Sequence, residues 1–238
     1  MPINSRNSKE SRYINSSMFI DNSNTEKVEF FFDNYAYDFD SIYGSINRRS
    51  FFTKLLDNLF RKSMFQRYKL TLQFIFDKQN SINSCLDIGT GPGRYCIDAA
   101  SRNISSLGVD ISETMIKLAN NRIPSNLSKK VSFVCDDYLN LNLKKKYDVS
   151  ILMGFFDYVE NPSLIFHKLK KDTSKFILAS FPKKYEPLSF QRLLRYKLRN
   201  CPLYFYTRKQ IINLIENLNI KEYQILNNHR EFFAIIEL

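Results

Sequence analysis

The residues of this 238-residue chain that carry chemistry cluster in one segment, Cys85-Leu86-Asp87-Ile88-Gly89-Thr90-Gly91-Pro92-Gly93-Arg94-Tyr95. An apolar run ends on an acid, and three glycines follow at alternate positions. Glycine takes positive φ at little steric cost and lets the backbone approach a ligand closely. In open α/β sheets, ligands sit beyond the carboxyl ends of the strands, where the strand order reverses. A dinucleotide fingerprint spaces its glycines G-x-G-x-x-G around a pyrophosphate. Here the spacing is Gly89-x-Gly91-x-Gly93. Asp87, just ahead of the turn, would repel a pyrophosphate and suits a cationic amino group. A second acid, Asp110, closes the run Leu107-Gly108-Val109-Asp110, about 20 residues further on, where a carboxylate can accept hydrogen bonds from both ribose hydroxyls.

These residues need elements to hold them. Cys85 to Ile88 ends a short strand, and the glycine turn leads into a helix through Ala100. Leu107 to Asp110 ends a second strand, and Ser112 caps a helix carrying Met115, Ile116 and Leu118. Val131 to Cys135 reads as a third strand and Val149 to Met153 as a fourth, followed by a helix from Pro162 to Lys170. Phe176 to Phe181 is a fifth strand. Ile211 to Leu218 is helical, and two strands close the chain, Glu222–Leu226 and Phe232–Ile236. The alternation predicts an α/β fold, doubly wound, with a mainly parallel seven-stranded sheet covered on both faces. The last two strands, with no helix between them, predict an antiparallel edge hairpin. Upstream, residues 1–26 are mostly Ser, Asn and charge and read as a disordered tail. Residues 27–80 read as an N-terminal helical cap: an aromatic stretch from Val28 to Tyr43, then Phe51, Phe52, Leu55, Leu56, Leu59 and Phe60 at helical spacing. Residues 81–238 form the main domain.

The D-x-G-x-G-x-G arrangement of Asp87, Gly89, Gly91 and Gly93 resembles the first motif of the class I S-adenosylmethionine-dependent methyltransferases, of bacterial small-molecule type. Three further segments follow in the family's order: Asp110-Ile111; Phe133-Val134-Cys135-Asp136-Asp137-Tyr138; and the run from Tyr147 through Gly154-Phe155-Phe156-Asp157-Tyr158. The resemblance extends from Ile82 to Leu238. It implies a Rossmann-like methyltransferase fold, S-adenosyl-L-methionine as cofactor, and in-line methyl transfer to a small-molecule acceptor. It implies that Asp87, Gly89 and Thr90 line the methionine end and that Gly91 and Gly93 make the close turn. Asp110 then takes the ribose, Ile111 and Met115 flank the adenine, and Asp137, in preference to Asp136, meets the adenine amino group. Gly154 lies under the reactive methyl. Tyr43 belongs to an aromatic segment, Tyr35 to Tyr43, that folds over the cofactor in such enzymes.

Asp157 and Tyr158, beyond the fourth strand, and His229, between the last two strands, are candidates for orienting the acceptor or taking its proton. For His229 a surface turn is the competing reading. Phe155, Phe156 and Tyr158 are candidate walls of the acceptor pocket, and His167 reads as structural. Gly154-Phe155-Phe156-Asp157 departs from the D/N-P-P-Y/F signature of enzymes that methylate base amino groups, which argues against DNA adenine methylation. No acid–acid–His cluster is visible, so no metal is expected. An RNA acceptor and a non-catalytic binding homologue are the alternatives; intact Asp87, Gly89, Gly91 and Asp110 argue against the second.

The net charge of +11, from 35 Lys and Arg against 24 Asp and Glu, suits acidic partners: an anionic acceptor, nucleic acid, or peripheral contact with an anionic membrane. A composition rich in Lys and Asn gives the same charge with no partner. Eight cations and one acid, Glu186, lie between Phe181 and Gln210, and they predict a basic lip around Arg192, Arg195 and Arg199. The four cysteines form no C-x-x-C pair, which argues against zinc and for a reducing cytoplasm. No apolar run approaches the roughly 18 residues of a membrane span.

Overall fold

In the computed structural model, which describes residues 22–41, 51–186 and 189–238, seven strands form one sheet. They are β1 (Ser84–Ile88), β2 (Ser105–Asp110), β3 (Val131–Cys135), β4 (Tyr147–Leu152), β5 (Thr173–Pro182), β6 (Glu222–Asn228) and β7 (Glu231–Glu237). The order across the sheet is β3-β2-β1-β4-β5-β7-β6. The pairs among β1 to β5 are parallel, and β7 runs antiparallel to both β5 and β6. The chain winds outward from β1 to β3, then returns to start β4 on the other side of β1. The switch point therefore lies between β1 and β4, where this architecture opens a crevice.

Burial follows from that arrangement. β1, β4 and β5 are buried almost end to end, as strands covered on both faces must be. Alternation assigns side chains to two faces. Leu86, Ile88, Leu152, Ile177, Ala179 and Phe181 join a core with helices α5 (Pro162–Asp172) and α7 (Arg208–Glu216). Cys85, Val149, Ile151, Phe176 and Leu178 meet helices α2 (Phe51–Asp77) and α3 (Arg94–Ser101) on the other face. The helix starts are encoded locally. Asn161 accepts from the Ser163 amide at 3.1 Å, with Pro162 in the first turn. Thr207 and Gln210 form a reciprocal capping box at α7, and Ser112 accepts from the Met115 amide at the start of α4 (Glu113–Asn120). Each such cap is worth about 1 kcal/mol. Asp148 pins β1 beside β4, its carboxylate accepting from the amides of Asn83 at 2.8 Å and Ser84 at 3.1 Å.

Two points depart from the sequence reading. Helix α1 (Asn22–Ser41) begins inside the stretch expected to be unstructured; residues 1–21 lie outside the described residues. Phe156, expected to wall a pocket, is fully buried. Its ring stacks on Phe181 at 4.5 Å and on Phe166 at 5.4 Å, because the single helical turn Phe156–Tyr158 tucks it under β5. Among the described residues, no helix is long and apolar enough to cross a membrane.

Helix α2 is tied to the sheet by charge as well as by apolar packing. Arg67 donates to Glu231 at 2.9 Å, both buried, and Glu231 also accepts from Ser63 at 3.2 Å and Asn228 at 2.9 Å. Removing one member of such a pair strands a buried charge, so Glu231→Ala should cost about 3–5 kcal/mol of stability, most of it recovered in Arg67→Met/Glu231→Leu. Urea unfolding measures both variants. A loss below about 1 kcal/mol in the single variant, the size of an exposed pair, would refute this role.

Candidate active site

At the carboxyl end of β1 the chain turns through Gly89, Gly91 and Gly93, with φ of +69°, +52° and +77°. The Gly89 and Thr90 amides donate to the Val109 carbonyl at 2.8 and 3.0 Å, which binds the turn to the end of β2. Gly93 is the N-cap of α3, where a side chain would meet both a left-handed φ and the Phe133 ring, 2.4 Å from a Cβ. On α3 the small residues Cys96, Ala99 and Ala100 face inward, and this lets the helix lie close against the sheet.

The two acids occupy neighbouring strand ends. Asp110 is held by backbone: it accepts from the Gly91 amide at 2.8 Å through one oxygen and from the Ser112 amide at 3.0 Å through the other. Asp87 is buried beneath the turn and accepts from the Thr90 hydroxyl at 2.6 Å. Among the described residues neither carboxylate is paired with a cation. Burial raises Asp87 to about 7 and Asp110 to about 6, and Asp110 contributes to the rise at Asp87. Met115 is buried with its sulfur near Gly91, and Ile111 is half-buried against the cluster that holds Val28 and Phe31 of α1.

Past β3, the Asp136 amide donates to the Asp110 carbonyl at 3.0 Å. The Asp137 carboxylate accepts from the Leu139 amide at 2.9 Å and so closes a turn of its own backbone. At the end of β4, Gly154 has φ +75° and donates to the Ser180 hydroxyl at 2.8 Å. Arg67 stands over it, with a guanidinium nitrogen 2.9 Å from where a Cβ would be. Phe155 packs against Gly89, so the loops after β1 and β4 meet at the switch point.

The catalytic candidates do not share one environment. Asp157 is buried and forms an ion pair with Arg192 of helix α6 (Ser189–Lys197). Arg192 thus points inward, which corrects its place in the expected basic lip. Tyr158 donates to the Tyr196 hydroxyl at 3.3 Å, and burial pushes its phenol well up. His229 is exposed, with φ +40°, in the turn between β6 and β7, on the same end of the sheet as the glycine turn. His167 is exposed on α5. Helix α1 crosses this end. Asp33 accepts from the Ser112 hydroxyl at 2.5 Å and the Thr114 amide at 3.2 Å, at the positive end of α4. Phe32 meets Tyr158 edge-on at 5.1 Å, and Asn24 reaches the Tyr204 hydroxyl at 3.3 Å. Tyr43 lies outside the described residues. Arg67, Glu231 and Asp33 escaped the sequence reading, since Arg67 and Glu231 lie 164 positions apart and Asp33 and Ser112 lie 79 apart.

A seven-stranded sheet with one reversed strand, a glycine turn after β1 and an acid after β2 define the class I S-adenosylmethionine-dependent methyltransferase fold. The methyltransferase-domain family matches residues 79–224, and the chain belongs to that family. It is an S-adenosylmethionine-dependent methyltransferase. Over 90% of this chain and 98% of the other, it superposes with a TM-score of 0.71 and 20% identity on magnesium protoporphyrin IX methyltransferase from Synechocystis PCC 6803 with bound S-adenosylhomocysteine. Carboxy-S-adenosyl-L-methionine synthase of Nautilia profundicola is 24% identical over 75% of this chain and 88% of that one. EEF1A lysine methyltransferase 2 of Danio rerio is 35% identical over 80 residues, 32% of this chain and only 34% of the relative. The site fits the cofactor: the turn leaves room where Gly91 lacks a side chain, and buried Asp87 and half-buried Asp110, neither paired with a cation among the described residues, suit a cationic, hydroxyl-rich ligand.

The carboxyls predict a pH dependence. Both sit above the ordinary carboxylate value of about 4, so the folded state retains protons that the unfolded chain releases. Stability of the ligand-free protein therefore falls as pH rises from about 4 through about 7. Urea unfolding across that window should show the wild type losing stability relative to Asp87→Asn/Asp110→Asn. Parallel profiles would contradict the assignment.

Proposed function

We propose that this enzyme transfers the methyl group of S-adenosylmethionine to a small-molecule acceptor bound between the loop after β4 and helix α1. The observation that carries the reading is the Asp110 carboxylate, oriented by the Gly91 and Ser112 amides at the end of β2. In this reading Asp110 binds the ribose hydroxyls, and Ile111 and Met115 flank the adenine. Asp137 meets the adenine amino group through the carboxylate oxygen that does not accept from the Leu139 amide, with Asp136 one position away as the alternative. Gly89, Thr90, Gly91 and Gly93 form the cradle. Asp87 acts from beneath it, holding Thr90 and supplying negative charge under the methionine end. Asp33, Asp87 and Asp110 give this corner a negative field within a chain of net charge +11, which suits a sulfonium cation.

The bound cofactor supplies an electrophilic methyl group, so the protein's task is in-line positioning and exclusion of water. Gly154 lets the Arg67 guanidinium stand over the end of β4, and Phe155 holds the two loops together. Tyr158, kept protonated by burial, orients the acceptor by its ring and hydroxyl. The Asp157–Arg192 pair positions α6 and takes no proton. His229, at the rim, is the remaining candidate to receive one from an oxygen acceptor. The helices within residues 27–80 serve as the cap. The Synechocystis neighbour acts on magnesium protoporphyrin IX, and a small acceptor is consistent with a site closed by one helix. The four free cysteines support a reducing, cytoplasmic setting.

Incubation with methyl-labelled S-adenosylmethionine and a cell extract tests the acceptor class. Label is expected in the dialysable fraction and should resist nuclease and protease. Label retained with RNA or protein would overturn the small-molecule reading.

A further inference from the structure

Helix α6 has two faces with different chemistry. Its inner face carries Ser189, Arg192 and Tyr196. Arg192 pairs with Asp157 and lies over the Tyr196 ring at 5.4 Å, while Tyr196 packs on Phe31 at 5.2 Å. The outer face is apolar in the open: Leu193 is 41% exposed, Leu194 52% and Leu198 80%. The Leu198 amide donates to the Leu194 carbonyl at 3.0 Å, so the stripe runs one residue past the end of the helix. Tyr185, 82% exposed, lies just ahead. Single exposed leucines are ordinary, but a contiguous apolar patch marks an interaction surface.

The surrounding charge identifies the partner. Lys184, Lys197 and Arg199, which flank the stripe along the chain, are exposed, as is Lys209 at the start of α7. Glu186, the one acid from residue 183 to 209, lies 3.6 Å from Arg230. We propose that the outer face of α6 docks on an anionic lipid bilayer, with Leu194 and Leu198 entering the interface and the flanking cations meeting the headgroups. A helix with an apolar stripe bordered by cations lies in the plane of such a surface, and cytoplasmic leaflets attract basic segments close to them. Nucleic acid would use the cations and gain little from the leucines. The docked helix also backs the loop after β4, through Arg192 and Asp157. The lipid surface would therefore lie about 10 Å, one helix diameter, from the acceptor side of the site.

The chain contains no tryptophan, so Leu198→Trp gives a single reporter. With the full chain, phosphatidylglycerol vesicles should shift its emission to the blue, and phosphatidylcholine vesicles should not. In co-sedimentation, the wild type should pellet with phosphatidylglycerol vesicles, and Leu194→Ser/Leu198→Ser should weaken that at least about tenfold. Both variants must keep the wild-type thermal shift with S-adenosylmethionine, which separates loss of docking from loss of fold or cofactor binding. Failure to pellet with anionic vesicles at low salt would overturn the proposal. So would pelleting that the serine pair leaves unchanged, or a preference for RNA over vesicles at equal ionic strength.

Discussion

The site depends on one constraint: a half-buried carboxylate at the end of β2 that meets no cation among the described residues. Asp110 is tolerated there because two backbone amides donate to it, one from the glycine turn and one from the start of α4. Satisfying that acid fixes the path of both loops. The Gly91 amide reaches it only if the chain turns through left-handed conformations, and the Ser112 amide only if α4 starts where it does. Ser112 in turn caps α4 and donates to Asp33, so helix α1 is docked through the same node. A buried ionisable group is costly unless it is hydrogen-bonded. The remaining cost appears as the raised values of Asp87 and Asp110, and it is the kind of cost that a polar, cationic ligand removes.

The β4 side of the crevice is built on a different principle. There the buried charges come in pairs, Arg67 with Glu231 and Arg192 with Asp157. Each pair joins an outer helix to the sheet or to the loop after β4. One half of the crevice thus carries uncompensated negative charge for a cationic cofactor, and the other is neutral but rigidly cross-linked. The contrast explains how a chain of net charge +11 keeps a negative field at its centre: most of its cations lie outside, many of them along the segment that contains α6.

Much of the fold was legible in the sequence because it is written locally. β3 matches its expected bounds, and the Ser112 cap and the final antiparallel hairpin are as read. Strand ends moved by one to three residues: β4 begins at the buried Tyr147, because Asp148, half-buried beside it, interrupts the apolar run. What sequence reading missed is long-range. Arg192 looks like any cation of a basic run until Asp157 is found beneath it, and Phe156 looks like a pocket wall until it stacks on Phe181. Nothing in residue spacing reports that Arg67 stands over Gly154.

The most direct measurement is isothermal titration of S-adenosylmethionine into the wild type and Asp110→Asn, with NAD as the control ligand. One cofactor should bind per chain with no heat from NAD, and Asp110→Asn should weaken binding by roughly ten- to a hundredfold, the loss of hydrogen bonds to a charged group. Equal affinity in the two proteins, or no binding of S-adenosylmethionine by the wild type, would contradict the assignment of this turn and this acid as the cofactor site.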